Sequence, residues 1–561
     1  PAPLTSKSMA RKEPGAGRSA LRLQRRGVRS LFGANAKKPL RCRFQRNLQA
    51  KAVEARNDVS TAPTDAPPIG TMEEMVQIMP DWLKGFSTMK EEFDEIISGD
   101  SIIGKIPDDL NGVLYRNGPA IMETQSGKKL NQPFDGDGMV AKFDFSEGEN
   151  SIRFSNKIIL TKHLQEELDA GKALYSSAFS SGNPLKDGGR LFALPFSLDF
   201  KNVANTGVVK WGGKLWALWE GGPPHRICPD SLDTEGIDEL GRLLSGDQPF
   251  AAHYRIMEES GEQVLINFGA GQKGLDLELK IWEFDKNMQP TKERVIERKK
   301  KAFAFLHDFV VTENYYVFHM NPLYLDLKKV ASEFLLGKCP IAQCLKFNPL
   351  EKGTWLLVPR DASKDVMEVE APVSQFVFHH GNAYEENGKL TVDSVALDSF
   401  DFEANMDNVK ASYFFNPGPM GRLHRTQIDL KTGKIAQSLI SERGCEFPSI
   451  PIKKTGVKHK YIYTACSAVS GRAGWGPNRA VMKSNLEDGS EELFVFGAKK
   501  FTGEPIFAPK TNANREDDGY LLVVVYDAEK NSSSLAIMDA RNIEKGPVAE
   551  IKLPARLPYG L

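Results

Sequence analysis

The run DGYLLVVVYD at residues 518–527 sets the reading of the fold. Its apolar centre, Leu521 to Tyr526, is strand length and far short of the ~18 apolar residues that would mark a membrane-spanning helix. Similar runs recur along the chain: GGKLWALWE (212–220), ENYYVFHM (313–320), NGKLTVDSVALD (387–398), HKYIYTACS (459–467) and SSSLAIMDA (532–540). Each is bounded by Gly, Asn, Asp or Lys. Short strands at this density, with helices rare between them, predict an all-β sandwich, barrel or propeller. Several hundred residues of the pattern favour a propeller of four-stranded sheets. No strict repeat is visible, so the strands alone do not give a blade count.

Charge divides the 561 residues unevenly. Residues 1–56 hold 15 basic residues against Glu13 and Glu54, which leaves 58 basic and 71 acidic residues in the remainder. A basic, acid-poor leader reads as an organelle transit peptide, with a disordered basic tail as the alternative. Residues 57–70, rich in Pro, Thr and Asp, read as a linker, and 71–561 as one domain. The acidic body would repel a phosphate backbone, which argues against nucleic acid. Thr71 and Glu74 form a capping box, followed by Met72, Met75, Val76 and Met79 at helical spacing. A second amphipathic stretch spans residues 325–336, with Leu327, Val330, Ala331, Phe334 and Leu335 on one face. Core packing is the ordinary reading of both stripes; a surface dipping into lipid is the sharper one. Cys42, Cys228, Cys339, Cys344, Cys445 and Cys466 show neither a CxxC pair nor zinc spacing, and suit buried free thiols.

Nine histidines are present, and context singles out three. His253, His307 and His379 each lie beside a strand-like run, separated by 54 and 72 residues. That spacing fits ligands drawn from different sheets and excludes a helical i, i+4 metal site. Taken singly, each is more readily a structural histidine.

Six motifs carry a more specific resemblance: LYRNGP (114–119), FDGDGM (134–139), HDFVVTENY (307–315), FHHGNAYEE (378–386), CEFPSI (445–450) and GEPIF (503–507). Their identity and order resemble the carotenoid cleavage dioxygenases, the carotenoid oxygenase family, across residues 100–561. The resemblance implies a seven-bladed β-propeller with short helical insertions capping an axial iron site, and Fe(II) held by four histidines. His253, His307 and His379 match the first three ligands; His379 is preferred to His380 because His-x-x-Asn-Ala continues through Asn382 and Ala383. Glu220, Glu446 and Glu504 match the carboxylates that hold such imidazoles from behind. The RLPYG-type motif at the end of the chain precedes the fourth ligand in the family, and that histidine is absent after Leu561. His424 and His459 are poor replacements.

Neutral imidazole suits ferrous iron. The resemblance implies a dioxygenase that uses one Fe(2+) and O2 to cleave a conjugated C=C bond of a carotenoid or apocarotenoid to aldehyde or ketone products. Alternatives are a non-oxidative isomerase or stilbene-type cleaver on the same fold, or a metal-free binding propeller. An apolar polyene substrate implies a peripheral membrane surface, sought at residues 322–336 or in the helix at 72–86. The basic leader then implies a plastid address, or failing that a cytoplasmic one.

Overall fold

A strand that is apolar on both faces needs a partner layer on each side. Strand Gly519–Asp527 is buried over nearly its whole length. Leu521, Val523 and Val525 pack into one apolar cluster, and Tyr520, Leu522 and Val524 into another. Strand Asp276–Phe284 repeats the arrangement: Leu279 and Ile281 face one core, Trp282 and Phe284 the next. The sheets therefore stack face to face, and each apolar layer is shared by two of them.

The computed structural model describes residues 72–180, 200–246, 248–273, 276–299, 305–404, 406, 420–470 and 476–560. The leader, the linker and Thr71 lie outside the described residues, as does Cys42. The described residues belong to one compact unit, Asp65–Leu561. It is all-β, with three short α-helices among the described residues: α1 (Met72–Lys84), α2 (Lys162–Ala170) and α3 (Leu327–Ser332).

The strands form consecutive antiparallel sheets. Four are four-stranded, opening with Phe93–Ile97, Gly207–Trp211, Arg255–Glu259 and Val310–Val311. A seven-stranded sheet from Phe376 to Val495 pivots on the 15-residue strand Ile435–Ser449. The final sheet runs from Lys500–Pro509 to Pro547–Lys552 and takes its fifth strand, Ile102–Gly104, from the other end of the described chain. Ile102 pairs with Ile551 and Ile103 with Glu550, so this sheet fastens early residues to late ones.

The stripe at 325–336 is not one helix. α3 ends at Ser332 and a separate 3-10 turn covers Phe334–Leu336. Phe334 is 2% exposed and packs with Cys339 and Cys344, while Leu327 and Leu336 are exposed. The apolar face is thus divided between core and surface. α1 ends at Lys84, short of Phe86, and buries Ile78 and Met79 against Phe501 and Tyr526. Five cysteines are free thiols: Cys339, Cys344, Cys445 and Cys466 are buried and Cys228 is partly open.

Alternation across the closing strand gives a direct test. Ile551 is 0% and Ile103 53% exposed. Ile551→Ala should cost about 2–5 kcal/mol in denaturant unfolding, whereas Ile103→Ala should stay within about 0.5 kcal/mol. Equal losses would mean that Ile102–Gly104 does not pair in this register.

Candidate metal centre

The inner strands of successive sheets bend where the motifs fall. Strand Phe376–Glu386 shifts register between Val377 and His380, so Phe378 and His379 stand opposite the single Val395. Strand Ile435–Ser449 shifts between Glu446 and Ser449. Strand Lys500–Pro509 shifts between Thr502 and Pro505, around Glu504. A bulge turns a side chain out of the ladder, and Gly or Pro inside a strand marks one. The Gly and Pro of HHGNA, EFPS and GEP lie at these shifts.

His253 lies just before strand Arg255–Glu259, His307 just before Val310–Val311, and His379 in the bulge. Their ligating nitrogens all come within 4.8 Å of one another. His253 Nε2 and His307 Nε2 are 3.0 Å apart. His379 Nδ1 lies 2.7 Å from Glu446 Oε2, and His307 Nδ1 contacts Glu220 Oε2. A carboxylate on Nδ1 fixes the proton there and turns the Nε2 lone pair inward. His379 Nε2 is buried and has no hydrogen-bond partner. Leaving such an atom unpaired costs about 1–3 kcal/mol, a cost that coordination to a metal would remove. Three convergent imidazoles, two of them backed by carboxylates, fit a divalent transition metal.

Electrostatics separates His253 from His379. Burial and the neighbouring His307 push His253 well below the usual histidine range, which keeps it neutral. Burial acts in the same direction on His379, but the Glu446 charge and hydrogen bond outweigh it and raise that ring. His380 is outside the cluster: its Nδ1 lies 2.6 Å from Ser394 Oγ and burial pushes it down to about 3. His424 Nδ1 donates to the Arg422 carbonyl and His459 Nε2 lies 3.2 Å from Asp393, so neither joins the cluster.

Glu504 stands apart from Glu220 and Glu446. It makes no hydrogen bond to a histidine or to any other described residue; its carboxyl faces a polar cavity of about 290 Å³ that His253, Arg116 and Tyr254 also line. Its carboxyl is accessible from that cavity, yet the protein packed around it raises its pKa against the opposing pull of Arg116.

On the other side, His307 and His379 line a cavity of about 430 Å³. Phe134, Phe179, Phe305, Phe378, Phe400, Phe402 and Phe447 dominate its wall, with Trp82 and Met79 from α1. Phe305 stacks on His307 at 6.1 Å between ring centres, and Phe447 lies 5.4 Å from His379. Both phenylalanines hold positive φ, +46° and +56°. Bulky residues adopt that conformation only where the surroundings impose it, and such positions gather at functional sites. The strained Phe447 backbone directs its N–H to Glu446 Oε2 at 2.7 Å.

Sequence reasoning passed over Arg255 and Asp308. Arg255 Nη2 lies 2.9 and 2.7 Å from the two Asp308 oxygens. Burial would raise Asp308, but Arg255 overrides it and holds the carboxyl well below the usual range. The available signal was adjacency: HYR and HDF set an opposite charge beside each of two candidate ligands.

A cluster of three histidines that could hold a metal, on the wall of an aromatic cavity and carried by stacked antiparallel sheets, defines the class of protein. The family profile described as retinal pigment epithelial membrane protein matches residues 86–561, and the chain belongs to that family, the carotenoid oxygenases. It is 35% identical over 500 residues to the apocarotenoid-15,15'-oxygenase of Synechocystis sp., spanning 88% of this chain and 98% of that protein. It is 27% identical over 530 residues to carotenoid cleavage dioxygenase 7, chloroplastic, of Oryza sativa, spanning 81% and 86%. The crystal structure of the cobalt-substituted Synechocystis oxygenase superposes with a TM-score of 0.78 at 35% identity, covering 86% of this chain and 98% of that one.

Proton and metal compete for His379 Nε2. Because the folded pKa of His379 is raised, Co2+ affinity should begin to fall as pH drops through a value above 6.5. Glu446→Gln should weaken Co2+ binding about 10–100-fold at high pH and move the onset of that fall to lower pH. Titrations monitored by visible absorption at several pH values check both; an unmoved pH dependence would show that Glu446 does not govern His379.

Proposed function

We propose that this chain is a non-heme iron dioxygenase that oxidatively cleaves a conjugated C=C bond of a carotenoid or apocarotenoid. The observation that carries the reading is the convergence of three imidazoles on the wall of an aromatic cavity. In this reading one C=C and one O2 give two carbonyl groups, one on each former alkene carbon. His253, His307 and His379 would hold Fe(II), which when bound supplies the site of O2 activation. Glu220 and Glu446 keep the Nδ1 protons of His307 and His379 in place. The phenylalanine wall excludes water and holds a flat apolar chain in register. Dividing the long sheet at strand Ile435–Ser449 yields, with the four four-stranded sheets and the final five-stranded one and leaving aside the two-stranded ladder Leu323–Leu325 with Leu345–Phe347, the seven units of the family's propeller and supports that architecture here.

A relative named lignostilbene-α,β-dioxygenase isozyme III, from Sphingomonas paucimobilis, is 28% identical over 475 residues. A phenolic substrate would want a Tyr and a Lys on its hydroxyl. Among the described residues, no Lys lines the cavity, and its one tyrosine, Tyr559, donates to the Trp82 carbonyl. These features favour the polyene.

Purified chain reconstituted with Fe(II) should convert an apocarotenal to two carbonyl products with consumption of O2, followed by chromatography and mass spectrometry. His379→Ala should give none. Cleavage that persists without iron, or in His379→Ala, would overturn the reading.

A bilayer-dwelling substrate calls for contact with lipid. Tyr324, Leu327 and Leu336 are exposed apolar side chains on one insertion, and they support a peripheral membrane surface there. Leu327→Glu with Leu336→Glu should reduce sedimentation with liposomes; unchanged binding would remove this insertion from the contact. Residues 1–56 are proposed as the plastid address.

A further inference from the structure

Three covalently distant segments carry the histidine cluster, and two of them lie outside regular ladders. His253 and His307 sit in irregular backbone. Strand pairing therefore does not by itself fix where those rings stand. One ion pair reaches all three segments. Arg255 follows His253 by two residues, Asp308 follows His307 by one, and His380 follows His379 by one.

The guanidinium and carboxylate divide the work. Arg255 Nε donates to the Phe309 carbonyl at 2.7 Å, and Nη2 lies 3.0 Å from the His380 carbonyl as well as facing both Asp308 oxygens. Asp308 Oδ2 accepts the His380 N–H at 2.8 Å, and Oδ1 accepts the Phe309 N–H at 2.8 Å. The His253 segment thus supplies the cation, the His307 segment the anion, and the His379 segment both a carbonyl and an N–H to the same pair. The pair is largely enclosed, with side-chain exposures of 19% and 2%.

Burial alone would not distinguish it. Arg360 and Glu283 form a comparably buried pair, 7% and 2% exposed, with Arg360 Nε 2.7 Å from Glu283 Oε1. That pair reaches Met257 and Glu259, further along the strand that follows His253, but makes no hydrogen bond to residues 253–255, 307–309 or 379–380. The difference lies in what the Arg255–Asp308 hydrogen bonds join.

We infer that Arg255 and Asp308 are positioning residues of the metal centre: together they set the mutual distance and aim of His253, His307 and His379 while touching neither metal nor substrate. The inference rests on the metal-centre reading above. Lysine keeps the charge of Arg255 but cannot reach the Phe309 carbonyl, the carboxylate and the His380 carbonyl together. Asparagine keeps the shape of Asp308 but loses its charge and one of its two acceptor oxygens.

The test is Co2+ titration of the full chain and of Arg255→Lys, Asp308→Asn and, as a control, Glu283→Gln. Affinity, the visible ligand-field spectrum and the unfolding temperature of the metal-free protein are read for each. Arg255→Lys and Asp308→Asn should bind Co2+ about 10–100-fold more weakly, with altered band positions and intensities that report changed ligand geometry. Glu283→Gln should lower the unfolding temperature yet keep the parent affinity and spectrum. Parent-like binding and spectra in both site variants would overturn the inference, as would equal weakening in Glu283→Gln. Should Asp308→Asn fail to fold, Arg255→Lys decides alone. A parent chain that binds no Co2+ would overturn the metal-centre reading itself, and this inference with it.

Discussion

A sheet that is apolar on both faces leaves a bare layer wherever it lacks a neighbour. A row of such sheets has two bare ends unless it turns back and meets itself. The pairing of Ile102 with Ile551 meets that requirement here by placing an early strand in the last sheet. Closure then brings strands from different parts of the chain together. There the chain has to bend, and the bulges at His379, Glu446 and Glu504 are where it does. The convergence of the three histidines is thus a product of how the sheets are obliged to pack.

The class of fold was legible because short turn-bounded runs such as 518–527 have few other interpretations. The particular arrangement was less so: the strand Ile435–Ser449 belongs to two ladders at once, and nothing in its residues announces that. Phe334 shows the limit of periodicity. Its spacing matches Leu327 and Leu335, but the helix stops at Ser332, and Phe334 turns inward to meet Cys339 and Cys344. A hydrophobic stripe tells which residues share a face only while the helix continues.

The histidines were legible by motif and by their place beside strands, and the structure brings His253, His307 and His379 together. Of the three carboxylates, Glu220 and Glu446 stand behind rings of the cluster, while Glu504 lines a polar cavity with His253 and makes no hydrogen bond to a histidine. Arg255 and Asp308 escaped because charged neighbours of a histidine are common, and only their convergence in space gives them meaning. Phe305 and Phe447 could not have been found either, since positive φ in a phenylalanine leaves no mark on composition.

The placement of the thiols has a practical consequence. Cys445 and Cys466 face each other across two strands in the sheet interior, whereas Cys339 and Cys344, 3.9 Å apart at their sulfurs, lie under the insertion that carries the exposed leucines. Cys228 is partly open to solvent. Among the described cysteines a thiol reagent therefore meets three grades of protection. The order in which the sulfurs become reactive reports whether the insertion lifts away from the sheets before they separate, or only when they do. The native sequence thus carries intrinsic probes for local opening and for global unfolding, with no label added.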